Sequence, residues 1–343
     1  MLTSESRRKF LEKLGLASLG LVACSSFSGE SVKKAFIRPK ALKEGDTIGV
    51  IAPAGYVYDK TSIAEFEKIL AKKGFKVVFG NTIYSQYGYF SGSDEFRARE
   101  VNSMFENPQI DGIIAMRGGW GCARILDQLD YKMIAKNPKV LMGYSDITAL
   151  LIGIFAKTRM ITFHGLMGYS TWDHFSTSYF DRIVMEGKQV IFQVPKDDTD
   201  HLTITTGKTK GRLVGGNLTV LSSMVGSEFL PEWEDKILFI EEIGEEPYRV
   251  DRMLTQLKLS GILNRVKGII FGKCRRCDAE FPDRALTLEQ VLEENFKDLK
   301  IPAFYGTAIG HIQQKFTFPI GIEVEMDADT GIIRQLESAV VQS

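Results

Sequence analysis

Residues 139–150 read KVLMGYSDITAL. An apolar run ends in Gly143-Tyr144-Ser145-Asp146 and passes at once into a second apolar run of helical character, as when a buried strand feeds a buried helix through a tight turn. The same alternation extends toward the N-terminus. TIGVIAPAG, from Thr47, is a buried strand opening into a Pro/Gly loop. Ile63, Phe66, Ile69 and Leu70 then form one helical face that stops at Gly74, with Ser62 and Glu65 at capping-box spacing. KVVFG is the next strand, SDEFRAREVNSMFENP a helix ended by Asn107-Pro108, DGIIAM a third strand and KVLMG a fourth. Strands alternating with helices imply parallel pairing in an open α/β sheet, whose ligand sites lie beyond the carboxyl ends of the strands. Arg117-Gly118-Gly119-Trp120-Gly121 and Gly143-Tyr144-Ser145 fall at such ends.

Two readings of the turn follow. Ser145 or Asp146 caps the helix that begins near Ile147, or the sharp strand-to-helix turn raises the Ser145 hydroxyl above the sheet as a nucleophile. The second requires a base and an orienting carboxylate elsewhere in the chain.

Between about Tyr169 and Thr206 the periodicity fades into polar, aromatic and charged residues. Beyond it KILFIEEI and VKGIIFG read as strands, Pro247 suits the first position of a helix carrying Val250, Leu254 and Leu257 on one face, and Thr287 with Gln290 opens another helix. Alternating Ile322, Val324 and Met326 turn at Asp329-Thr330-Gly331 into Ile332 and Ile333, a terminal hairpin. The expected fold is therefore α/β: an open parallel-sheet N-terminal domain at 41–168, a junction at 169–206, and a mixed C-terminal domain with more antiparallel β at 207–343.

Composition narrows the function. The 343 residues are 44% hydrophobic, enough for two cores, and Lys plus Arg equals Asp plus Glu at 43 each. With no global basic field, nucleic acid is not an expected partner. The first 24 residues have the order of an export signal: Arg7-Arg8, a short apolar stretch from Leu14 to Ala23, then Cys24. SRRKFL resembles a twin-arginine signal, and Leu21-Val22-Ala23-Cys24 resembles a lipobox. The expectation is an exported envelope protein lipid-anchored at Cys24, with residues 25–40 as a tether and no spanning helix. The alternative is an amphipathic N-terminal helix. Cys274-Arg275-Arg276-Cys277 is a lone CxxC; with Cys122 it leaves an odd count after lipidation, which argues against a disulfide framework and favours an incidental pair at a strand end, with a redox pair as the alternative. No second CxxC or HxxxH accompanies it, so no metal site and no cofactor are expected.

Of the four histidines, His311 follows Gly310 on a loop between strands, and His164 ends the strand MITFHG; both are candidate bases. Glu241 is the first acidic residue beyond the apolar core of KILFI, whereas Glu245 and Glu246 precede the helix at Pro247 and suit its dipole. A carboxylate at Glu241 would hold the imidazole of His311.

RGGWGCARILDQLD, KVLMGYSDITAL, FHG, GRLVGGNLTVL, FIEEIGEEPYRVDRML and GHIQQKFTFPIG, in that order and spacing from about Asp46 to the C-terminus, resemble the LD-carboxypeptidase family of serine peptidases, the muramoyltetrapeptide carboxypeptidases. The resemblance implies a Ser-Glu-His triad at Ser145, Glu241 and His311. Glu241-Glu242 stands where the family usually has Glu-Asp, and Trp120 where it usually has Tyr. Backbone N–H groups of Gly119 and Asp146 are the expected oxyanion donors, with the Asp146 side chain as a helix cap. Arg117, with Arg252 behind it, is the expected receptor for a substrate carboxylate, and Trp120 a pocket wall. The implied reaction cleaves the bond between a diamino acid, commonly meso-diaminopimelate, and terminal D-alanine in murein tetrapeptides. The expected partners are that peptide and the membrane, with a homodimer left open. Two alternatives stand beside it: a related serine peptidase that inactivates peptide-nucleotide antibiotics, and a non-catalytic lipid-anchored binding protein.

Overall fold

The strand ends that matter are set by two sheets. The structure, a computed structural model, describes residues 35–195 and 198–342. The export signal, the lipobox at Cys24 and most of the tether lie outside the described residues. Among those described, no helix is long and apolar enough to cross a membrane.

The first sheet holds β1 (Thr47–Ile51), β2 (Lys76–Phe79), β3 (Gly112–Ala115), β4 (Val140–Gly143) and β5 (Thr162–His164), all parallel, in the order β5-β4-β3-β1-β2. Helices α1 (Thr61–Lys72), α2 (Asp94–Glu106), α3 (Tyr131–Lys136) and α4 (Thr148–Thr158) belong to its crossovers. Strands β3, β4 and β5 are buried throughout, as parallel strands covered on both faces must be. Ser93 caps α2 by accepting from the Phe96 N–H. The expected box at α1 does not form: the helix begins one residue before Ser62, and Asp59 takes the Thr61 N–H at 3.0 Å.

Helix α5 (His174–Phe180) with β6 (Ile191–Phe192) and β7 (Leu202–Thr205) occupies the aperiodic stretch. Next come β8 (Lys208–Asn217), α6 (Leu218–Ser223), β9 (Lys236–Glu241), α7 (Pro247–Leu259), β10 (Gly268–Gly272), α8 (Leu288–Phe296), β11 (Ala303–Thr307), β12 (Phe318–Ile320), β13 (Glu323–Asp327) and β14 (Ile332–Gln335). Pro247 stands in the first turn of α7, and Thr287 with Gln290 forms a full capping box on α8. The second sheet runs β6-β14-β13-β8-β9-β10-β11-β7. Its four middle strands β8 to β11 are parallel and the flanking pairs antiparallel, so the sheet is mixed.

One strand ties the sheets together. β12 leaves its sequence neighbours and adds to the first sheet, antiparallel to β5, with Phe318 opposite His164. Pro319 is tolerated because β12 is an edge strand. Phe318 packs edge-on against Phe239 of β9 and Phe192 of β6, at 5.4 and 4.7 Å between ring centres. Each of these fully buried rings contributes roughly 1.5–3 kcal/mol. The loop before β12, with His311, is thereby fixed at the carboxyl ends of β4 and β5.

Candidate active site

Ser145 follows Tyr144 at the end of β4 and starts a single turn of 3-10 helix (Ser145–Ile147) that leads into α4. Its φ is +63°, a left-handed conformation that side chains other than glycine's rarely adopt. Such strain, at a strand-to-helix corner, is the geometry of a nucleophile elbow. Neither Ser145 nor Asp146 caps α4, whose first turn has no side-chain cap. Instead Oδ2 of Asp146 accepts the Cys122 N–H at 2.7 Å, fastening the loop of residues 117–122 over the turn. Burial lifts the Asp146 carboxyl above its ordinary range, against the N–H groups of Cys122 and Gly121.

That loop lies directly on the serine. A Cβ at Gly118 would stand 2.9 Å from the Ser145 Cβ and 3.0 Å from its Oγ. The Gly118 carbonyl accepts the Gly55 N–H at 3.2 Å, so the trans peptide turns the Gly119 N–H away from Gly55. Arg97, fully buried, braces the far side by donating to the carbonyls of Pro53 (2.6 Å) and Gly121 (2.9 Å) while pairing with Asp94. Its position inside an amphipathic helix gave no signal of this role; only burial reveals it.

The acid and base arrive from the second sheet. Asn217 is opposite Glu241 in the β8–β9 ladder, and the Asn217 N–H donates to Oγ1 of Thr148 at the start of α4, 3.0 Å away. One hydrogen bond thus couples the helix after the nucleophile to the strand beside the acid. Glu241 is fully buried, and its Oε2 accepts from Nδ1 of His311 at 2.8 Å. With Nδ1 engaged, Nε2 of His311 is the nitrogen left for proton transfer. The His311 ring meets the Tyr144 ring edge-on at 5.0 Å, next in sequence to the serine. Gly310 has φ +85°.

His164 is no rival base. It is 1% exposed, packs edge-on against Phe239, and sets Nε2 at 3.7 Å from Oε1 of Glu241, an electrostatic contact too long for a hydrogen bond. Burial alone would raise the Glu241 carboxyl; His164 and His311 override it and hold it well below the usual carboxylate range. Glu242 points elsewhere: it accepts from Asn217 Nδ2 (3.1 Å), the Ile243 N–H (2.9 Å) and the Thr219 N–H at the start of α6 (2.8 Å). The structure therefore brings Glu241, and not Glu242, to His311.

A cleft of about 540 Å³ opens over His311, lined also by Tyr58, Tyr144, Tyr169, Arg275 and Lys315. Two of its cations escaped sequence reasoning. Lys315 is 2% exposed, its Nζ lies 5.2 Å from the centre of the Tyr144 ring, and among the described residues no carboxylate pairs with it. Burial pushes its ammonium down to about 8, against the fields of Asp173 and Glu241. A lysine at a buried register of GHIQQKFTFPIG was the available signal. Arg117 lies behind the wall, donating to the Tyr56 carbonyl at 2.7 Å and stacking on Tyr58 and Tyr169 at 4.9 and 5.8 Å. Trp120 is 46% exposed on the same loop. Arg252 stacks on Tyr248 along α7 and is not among the residues of the cleft. Cys274 and Cys277 are joined in a disulfide, where an incidental pair was expected.

Residues 48–165 match the profile of the LD-carboxypeptidase N-terminal domain, and residues 210–326 that of the LD-carboxypeptidase C-terminal domain. The chain belongs to the LD-carboxypeptidase family. Within the family it is 36% identical over 295 residues to a probable murein peptide carboxypeptidase of Bacillus subtilis, covering 84% of this chain and 91% of that one. It is 33% identical over 320 residues to the microcin C7 self-immunity protein MccF of Escherichia coli, 84% of this chain and 92% of that one. The wild-type MccF structure superposes with a TM-score of 0.82 over 89% of this chain and 100% of that one. A muramoyltetrapeptide carboxypeptidase from Oxalobacter formigenes gives a TM-score of 0.73 at 31% identity, covering 84% and 97%. Membership of this family makes the chain a carboxypeptidase of the serine type.

Proposed function

We propose that the protein is a serine LD-carboxypeptidase that removes terminal D-alanine from murein tetrapeptides. The observations that carry this reading are the 2.8 Å bond between His311 and Glu241 and the His311 ring set 5.0 Å from that of Tyr144, the residue before the strained Ser145. Ser145 Oγ attacks the carbonyl of the diamino acid while Nε2 of His311 takes its proton. The N–H groups of Gly119 and Asp146 receive the oxyanion. Collapse breaks the C–N bond, and His311 returns the proton to the departing D-alanine amine. A water, deprotonated by His311, then hydrolyses the acyl-enzyme and frees Ser145.

A carboxypeptidase must also recognise a free carboxylate. Lys315 suits this best: a buried ammonium without a carboxylate partner is costly unless an anion completes it. Arg117 then shapes the wall through Tyr58 and Tyr169. The test is D-alanine release from a defined tetrapeptide by the mature protein, with S145A as control; no release by the wild type sinks the reading.

The likeness to MccF, whose name records self-immunity to microcin C7 and which is also solved in complex with aspartyl sulfamoyl adenosine, supports a second reading in which a peptide-nucleotide antibiotic is the substrate. Equal or faster cleavage of such a compound would favour it. We further propose export and lipid anchoring at Cys24; the Cys274–Cys277 disulfide supports an oxidising compartment. A homodimer is proposed as well, and sedimentation of the mature protein tests it.

A further inference from the structure

The loop after β10 puts an arginine into the catalytic cleft on a short covalent staple. Cys274 and Cys277 are disulfide-bonded around Arg275 and Arg276, closing a loop of four residues. Cys277 is buried at 3% exposure, and Arg276 has φ +58°. The backbone is held from both sides. The Cys274 N–H donates to the Tyr305 hydroxyl at 3.3 Å, and the Arg275 carbonyl accepts the Gly244 N–H at 2.9 Å. Arg275 also forms a parallel bridge to Ile243, two residues beyond Glu241. The backbone of Arg275 is thus registered against the strand end that carries the triad acid.

Among the described residues its side chain has no hydrogen-bond, ion-pair or ring partner. Arg275 is exposed, lines the cleft with His311 and Lys315, and among the described residues has no carboxylate within 4.0 Å. Among the described residues two side-chain cations therefore line the cleft beyond the triad, Lys315 buried beside Tyr144 and Arg275 at the exposed edge beside Ile243. A terminal D-alanine carboxylate is two bonds from the leaving nitrogen and must lie near Ser145, which suits Lys315. A second, more distant anion is left for Arg275. In a diamino acid whose side chain ends in a carboxylate, that group is separated from the reacting centre by several methylenes. A planar guanidinium takes such a group with two parallel N–H donors.

We infer that Arg275, held in place by the Cys274–Cys277 disulfide, is the residue that selects a diamino acid with a distal carboxylate over one without it. This rests on the carboxypeptidase reading above and names the substrate class for the same site. The disulfide acts as a positioning device: restricting the loop before binding removes an ordering cost the substrate would otherwise meet.

The test uses the mature protein and three tetrapeptides ending in D-alanine, with meso-diaminopimelate, its distal-carboxamide derivative or L-lysine at the third position. Released D-alanine gives kcat and KM. The wild type is expected to favour the free acid by about 10- to 100-fold in kcat/KM, through KM. R275Q should lose that preference by raising KM on the acid alone, with the amide and lysine peptides unchanged, and R275K should restore part of it. The C274S/C277S double variant should raise KM on the acid less than R275Q and leave kcat intact. Equal rates on acid and amide in the wild type, or equal losses on all three peptides in R275Q, would overturn the Arg275 assignment while leaving the carboxypeptidase reading in place. No D-alanine from any peptide with the wild type would overturn both.

Discussion

Gly310 lies so close to Glu241 that a Cβ on it would stand 2.2 Å from Oε2, the oxygen that holds His311. The glycine is required twice, by its φ of +85° and by the carboxylate against it. G310A should shift either the carboxylate or the His311 loop. A displacement near 1 Å costs about 100-fold in rate, so kcat should fall by about that factor with the far-UV circular dichroism spectrum retained. Unchanged turnover would mean that the Glu241–His311 bond is not needed.

The two adjacent glutamates should separate cleanly. E241Q removes the charge that supports a protonated His311 and should lower kcat by about 10⁴-fold. E242Q leaves His311 untouched but weakens acceptors for Asn217, Thr219 and Ile243. It should cost about 1–2 kcal/mol of stability with kcat nearly intact. Urea unfolding and steady-state kinetics on both variants check this, and a large kcat loss confined to E242Q would reverse the assignment.

Lys315 gives the site a pH dependence whose sign is fixed. Its ammonium is pushed down to about 8, so the positive charge is present below that pH and lost above it. KM for the tetrapeptide should therefore rise as pH passes through 8, while K315M should show a KM raised about 10-fold or more at pH 7 and flat to pH 9. A wild-type KM that does not change between pH 7 and 9 would remove Lys315 from carboxylate recognition.

Export and lipidation rest on residues 1–24. C24S should move the protein from the membrane fraction to the soluble one and leave activity on soluble tetrapeptide unaltered, as read by fractionation with fatty-acid labelling. Wild-type protein found unlabelled with Met1 intact would contradict the anchor.

The parallel sheet and the nucleophile turn were legible because local pattern decides them: apolar strands of β1, β3 and β4, helices with caps or stop signals, and a Gly-flanked serine between two apolar runs. Strand β8 was harder to read because glycines at 211, 215 and 216 interrupt its alternation. β12 was hidden because three residues with a central proline carry almost no strand signal, and its pairing with β5 is a contact 154 residues apart, Phe318 with His164. The same long-range joining brings Glu241 to His311; the end of an apolar strand marked Glu241 as the acid, but the 2.8 Å contact depends on two segments 70 residues apart. Lys315 and Arg275 failed to stand out because a lysine or an arginine in sequence looks solvated. Their roles depend on what surrounds them, a buried Tyr144 face for one and a disulfide-closed loop for the other.

Everything in the proposed chemistry turns on the Ser145 hydroxyl as the nucleophile. Incubation of the mature protein with a fluorophosphonate, followed by intact mass and peptide mapping, tests it most directly. A single adduct is expected, on the hydroxyl of Ser145, absent in S145A and slowed greatly in H311A. An unlabelled wild type, or an adduct that persists in S145A, would show that Ser145 is not the nucleophile.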